Sequence, residues 1–191
     1  MNCRDCVLGM TYRPRLRERN LILQDEYAPK DRIKLVILGE SPPIGGGYIY
    51  DRHTKCTSRS FSYQVFSDLN CVGFKGPVSD DDKEIALQKM QHVNKAIVLD
   101  CCNCAANLKG RISDSQRESL VAACFSRFAE QSLDSICKEY GPEIWFKLPS
   151  GRGSTLWDDL KIKYGPKIIR KEYWSPFRRL PTCVDNLVFS G

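Results

Sequence analysis

An apolar run, Leu35-Val36-Ile37-Leu38, stops abruptly at Gly39-Glu40-Ser41-Pro42-Pro43-Ile44-Gly45-Gly46-Gly47-Tyr48-Ile49-Tyr50-Asp51. Two carboxylates there bracket prolines that stiffen a loop, glycines that let backbone approach a ligand, and tyrosines that offer flat faces for stacking. An ordinary Gly-rich turn is the plainer alternative. Near the start, Cys3-Arg4-Asp5-Cys6 has the spacing at which two thiolates reach one metal ion or cluster, although alone it supplies half a site. Arg13, Arg15, Arg17 and Arg19 follow, and these arginines could face phosphates or stay solvated.

The elements that must position these groups are strands ending in loops. Four apolar positions, 35 to 38, suit a strand covered on both faces. Lys95 to Asp100 reads as a second buried strand, ending near a carboxylate and running into Cys101-Cys102-Asn103-Cys104. Glu143 to Leu148 is a third, opening into Pro149-Ser150-Gly151-Arg152-Gly153-Ser154, and Lys167 to Arg170 fits a fourth. Helical spacing places helices over Phe61 to Leu69, Asp82 to Val93, Ser113 to Tyr140 and Thr155 to Tyr164; Gly141-Pro142 and Gly165-Pro166 supply stops. The segment before the first strand shows little periodicity. Strands with helices between them predict an α/β fold, a three-layer αβα sandwich around a central, mostly parallel four-stranded sheet. One composite site would lie along its carboxyl edge.

The 191 residues, 42% hydrophobic and 27% charged, fit one domain over residues 1–191 with a substantial core. No apolar run approaches the roughly 20 residues that cross a bilayer, and the polar start is not a secretory signal, so the expectation is a cytoplasmic protein without a membrane partner, and a monomer. In that reducing compartment the ten cysteines are read as metal ligands or as small buried residues rather than disulfides. A net charge of +6, of which +4 falls from Gly151 onward, leans towards an acidic partner.

With the three loops in order, the chain resembles the uracil-DNA glycosylase superfamily, nearest its iron-sulfur branch. Gly39-Glu40-Ser41-Pro42 is similar to that branch's Gly-Glu-Ala-Pro motif, and Tyr48 or Tyr50 falls near where the family stacks an aromatic on the extruded base. Leu148-Pro149-Ser150-Gly151-Arg152 is similar to the late Pro-Ser loop that grips DNA. Asp100, with Asn103 beyond it, stands where the family ends a strand in a base-reading Asn. The resemblance further implies cluster ligands at Cys3, Cys6, Cys104 and Cys124. Four thiolates suit a 4Fe-4S cluster; Zn is the alternative, or no metal at all.

What the resemblance implies is a DNA glycosylase that flips out and excises a base, leaving an abasic site. Ser41, Pro42, Pro149, Ser150 and Gly151 would grip the DNA, and Arg152 would plug the duplex. Glu40, or Asp51 as second choice, would stabilise positive charge on the sugar and activate water, unless either is a loop-organising acceptor. Asp100 in place of Asn departs from the pattern. A carboxylate there accepts hydrogen bonds and suits the N4 amino group of a cytosine-type base, and three glycines leave room for a substituent, so a modified base such as occurs in phage DNA is favoured and uracil is possible. Asp100 could instead hold a helix N-terminus or a neighbouring Arg. The rival reading is a non-catalytic nucleic-acid-binding protein of the same fold.

Overall fold

The computed structural model describes residues 14–41, 48–54, 56–57, 60–71, 78–102, 113–148 and 154–171. Four strands form one sheet: β1 (Leu35–Gly39), β2 (Ala96–Asp100), β3 (Glu143–Phe146) and β4 (Ile168–Arg170). Their order is β2-β1-β3-β4 and every neighbouring pair is parallel, so all carboxyl ends share one edge. β1 is buried along its whole length, which is why its sequence is an unbroken apolar run. The fold is α/β, as expected, with an entirely parallel sheet.

Between the strands lie α2 (Phe61–Asp68), α3 (Asp80–His92), α4 (Asp114–Cys124), α5 (Glu130–Tyr140) and α6 (Ser154–Tyr164). Ser60, Ser79 and Ser113 cap the first three, the latter two in capping boxes with Asp82 and Gln116. The long helix expected over 113–140 is one helical run interrupted by a π-turn at Phe125–Ala129. Gly141 ends it in the left-handed region at φ 61°, as a C-terminal glycine should.

The helix α1 (Pro14–Glu26) is a correction, since this segment showed no helical pattern. Proline opens it at a position where its missing N–H costs nothing. Polar contacts hold it more than an apolar stripe does: Gln24 Nε2 donates to Val98 O at 3.1 Å, Tyr48 Oη donates to Asn20 O at 3.1 Å, and Arg19 pairs with Asp51. These contacts cover the outer edge of β2. Tyr50 completes that cover, its hydroxyl accepting from Val98 N at 2.6 Å and lying 3.2 Å from Val98 O. An edge strand is thereby left without open backbone groups at its centre.

The core runs through Val36, Ile37, Leu38, Phe66, Leu87, Met90, Leu133, Ile144 and Phe146. Among the described residues no helix is long and apolar enough to cross a membrane.

Candidate active site at the carboxyl edge of the sheet

Gly39 and Asp100 are register partners at the ends of β1 and β2. The pairing continues past both strands, because Cys101 N donates to Gly39 O and Cys102 N to Glu40 O, each at 2.9 Å. Glu40 is therefore mounted on a rigid ladder rather than on a free loop. Its carboxylate pairs with Arg117 from the start of α4, and both side chains are largely buried. The next residue of α4, Glu118, accepts from Thr155 N at 2.9 Å and Thr155 Oγ1 at 3.2 Å near the start of α6. The first turns of α4 thus tie the loop after β1 to the helix that follows the loop after β3. Ser41 lies part-buried next to Glu40.

Asp100 ends β2, near enough to Glu40 to feel its charge. Burial, and then the Glu40 charge, push its carboxyl from an ordinary 3.8 up to about 7. The absence of a side chain at Gly39 makes the space for it: a methyl there would lie 2.6 Å from Asp100 Oδ1 and 3.4 Å from the Phe61 ring. Phe61, the first residue of α2, thus brings an aromatic ring to the same spot. Its apolar spacing marked it in the sequence as one more core position of a helix, and nothing in its neighbours singled it out.

Two sequence expectations are corrected here. Tyr48 and Tyr50 were expected to stack on a ligand, but they are 7% and 1% exposed. The Tyr50 ring lies flat against Tyr27, centroids 6.4 Å apart, and Tyr48 meets it edge-on at 5.7 Å. Burial raises both phenols above their usual range. Their faces are occupied by the core, and their hydroxyls anchor α1 and the β2 edge. Asp51, the second catalytic candidate, is 4% exposed; it pairs with Arg19 and accepts from His53 N at 3.1 Å. It organises the loop.

Lys83 completes that loop. Wholly buried on α3, it donates to Asp51 O at 2.6 Å and to Tyr48 O and Thr54 Oγ1 at 2.8 Å. Its three N–H groups match three oxygens, and burial draws its pKa down to about 8, so it remains an ammonium at neutral pH. Lys147, the residue after β3, is 2% exposed and donates to Asp68 Oδ2 at 2.6 Å.

Of the four cysteines implied as cluster ligands, Cys124 is described, and it is part-buried at the end of α4. A hydrogen bond with Cys102 holds its thiol below the usual range, aided by Arg127, while Cys102 is raised by the same bond. Cys102 and Cys124 thus place two sulfurs together at the end of α4. Among the described residues no group of three or more His, Cys, Asp or Glu is placed to hold a metal ion. Cys3, Cys6, Cys104, Pro42, Asn103, Pro149, Ser150, Gly151 and Arg152 lie outside the described residues. Cys56, Cys71, Cys101 and Cys102 are buried and free, as small packing residues should be.

No protein-family model, no curated protein and no solved structure matches the chain.

Proposed function

We infer that the chain is a uracil-DNA-glycosylase-like DNA glycosylase that extrudes a modified base from DNA and hydrolyses its N-glycosidic bond. The observation that carries this reading is two carboxyl groups at the carboxyl edge of a parallel sheet: Asp100 at the end of β2, near the Phe61 ring, and Glu40 just past β1, paired with Arg117. Sites of α/β sheets lie at that edge. The two carboxyls sit in different surroundings, as two different roles require.

In this reading the extruded base lies near Phe61 and Asp100, with stacking worth roughly 1–3 kcal/mol against an extrusion cost of a few kcal/mol. Asp100 reads the base edge. Breaking the bond builds positive charge on the sugar, and the Glu40 carboxylate stabilises it and takes a proton from the attacking water. Arg117 holds that carboxylate in place. An ionised Asp100 accepts hydrogen bonds only and suits a cytosine-type base. Ser41, Pro42, Pro149, Ser150, Gly151 and Arg152 hold the DNA strand. A 4Fe-4S cluster, or Zn, on Cys3, Cys6, Cys104 and Cys124 would supply a structural staple between the N-terminal segment and α4, and iron shows as thiolate-to-iron absorbance in the purified protein. The enzyme works as a cytoplasmic monomer.

Incubating the protein with duplexes that carry uracil, cytosine and modified cytosines, and scoring alkali-labile sites, tests this reading. Strand breaks at one base class support it; intact strands with tight DNA binding leave the non-catalytic alternative standing. Gly39→Ala gives a sharper check, because the added methyl displaces the Asp100 carboxyl while leaving the strand paired. We expect base release to fall at least about tenfold, with stability changed by less than about 2 kcal/mol. Unchanged release by Gly39→Ala would take Asp100 out of the site.

A further inference from the structure

Pairing along the carboxyl edge continues past β3: Lys147 N donates to Leu38 O at 3.0 Å and Lys171 N to Phe146 O at 3.1 Å. Arg170 and Lys171 therefore bring the end of β4 level with the ends of β1 and β3. Successive side chains of a strand point to opposite faces, and these two do. Arg170, the register partner of Phe146, lies over the Trp157 ring with its Cζ 5.8 Å from the centroid, and Lys161 Nζ approaches the same ring at 5.7 Å. Lys171 Nζ lies over Trp145, the preceding residue of β3, at 4.7 Å. Phe146 braces Trp157 in turn, centroids 5.5 Å apart. Three cations thus have their stems laid on fixed aromatic rings; Arg170 and Lys161 are exposed and Lys171 is half-buried.

Among the described residues none of the three pairs with a carboxylate. Cations elsewhere do: Arg19 pairs with Asp51, Arg52 with Glu84 and Lys95 with Asp31, and Lys163 bridges Glu130 and Asp134 at 2.8 Å. Each residue of α6 advances about 100°, so Trp157 and Lys161 share one flank, Asp159 lies with Lys163 on the other, and Asp158 falls between. The end of β4 and the adjacent flank of α6 therefore present positive charge without local compensation.

We propose that Lys161, Arg170 and Lys171 hold backbone phosphates of a DNA strand that crosses the carboxyl edge of the sheet. The partner rests on the glycosylase reading, in which this is the strand that carries the extruded base. The guanidinium of Arg170 matches a phosphate with two parallel hydrogen bonds, and the two lysines act as point charges. β4 lies three strand spacings from β2, roughly 14 Å at about 4.8 Å per spacing. A duplex rises about 3.4 Å per nucleotide along each strand, so the phosphates held at β4 lie about four nucleotides from the reaction. Such contacts position the strand and carry no sequence information.

The salt dependence of DNA binding tests this, because each phosphate neutralised by a cation contributes about 0.9 to the slope of log affinity against log salt. The variant with Lys161→Gln, Arg170→Gln and Lys171→Gln is compared with wild type and with a charge-matched control, Lys30→Gln, Lys138→Gln and Lys167→Gln, whose exposed lysines precede the strands at the opposite edge. The first variant should lose about 2–3 from the slope and at least about tenfold in affinity at about 0.1 M salt, equally on every duplex, while the control stays near wild type. Base release from the saturated complex should stay within about twofold of wild type, since none of the three touches the base. Arg170→Gln alone should lose about 1 from the slope and Arg170→Lys should restore most of it, which keeps the test decisive if the triple variant folds poorly. Equal effects of the two triple variants, or none from either, overturn the proposal, and release by the wild type then leaves the glycosylase reading standing. A selective loss of slope with no release from any duplex supports the phosphate contact and overturns the glycosylase reading. A wild type that binds no duplex even at low salt overturns both.

Discussion

Replacing Lys83 by methionine is expected to destabilise the protein by about 2–4 kcal/mol, a large share of the roughly 5–15 kcal/mol that holds a domain together. Methionine keeps the length and most of the volume, so little cavity opens on α3. What disappears is an ammonium whose three N–H groups reach Tyr48 O, Asp51 O and Thr54 Oγ1. Two factors temper the loss. The carbonyls keep other donors, since Asp51 N bonds Tyr48 O and Thr54 N bonds Asp51 O, each at 3.1 Å. Removing a buried charge also relieves its desolvation. Urea unfolding of the variant measures the difference; a change below about 0.5 kcal/mol would mean that the loop from Tyr48 to Thr54 is held by its own turns and not by Lys83. The same loop carries Tyr48 and Tyr50 into the core and pairs Asp51 with Arg19, so its loosening should also weaken the cover over β2.

Glu40→Gln should lower single-turnover base release about 10²–10⁴-fold, the range that a charge-stabilising carboxylate with a general-base role commands. Glutamine retains the shape and one acceptor for Arg117, so DNA affinity should change by less than about tenfold. Asp51→Asn is the informative contrast. Its carboxylate faces Arg19 and the His53 amide rather than the sheet edge, so any loss of release should follow loss of folded protein. Equal specific losses in the two variants, with both proteins fully folded, would reopen the choice between the two carboxylates.

How far the sequence showed this arrangement depended on what kind of contact holds each part. The strands at Leu35–Gly39 and Ala96–Asp100 were readable because burial on both faces leaves a continuous apolar run, and the helix start at Ser113 and stop at Gly141 because caps are local chemistry. Glu40 and Asp100 followed as strand-end carboxylates. Their adjacency did not, because the order β2-β1-β3-β4 is a matter of long-range pairing that no local pattern encodes. The helix at Pro14–Glu26 was hidden for a related reason: Arg19, Asn20 and Gln24 hold it through polar atoms, and such contacts leave no apolar period.

The tyrosines illustrate the limit most plainly. A Tyr-x-Tyr pair after three glycines reads as an open stacking platform, yet the free backbone of Val98 needed a hydroxyl partner and the core took both rings. Phe61, with no polar atom to advertise it, brings its ring to the end of β1 beside Gly39. Arg117 was equally silent, one charged residue among several on a helix, until the fold set it against Glu40.

The most direct test of the central claim, that the Glu40 and Asp100 edge excises a base, is single-turnover release from the base panel by the wild type and Glu40→Gln side by side. The account predicts that the wild type leaves abasic sites at one base class and that Glu40→Gln binds the same duplex but leaves at least about a hundredfold fewer. Equal release by both proteins, or none from any duplex by the wild type, would contradict it.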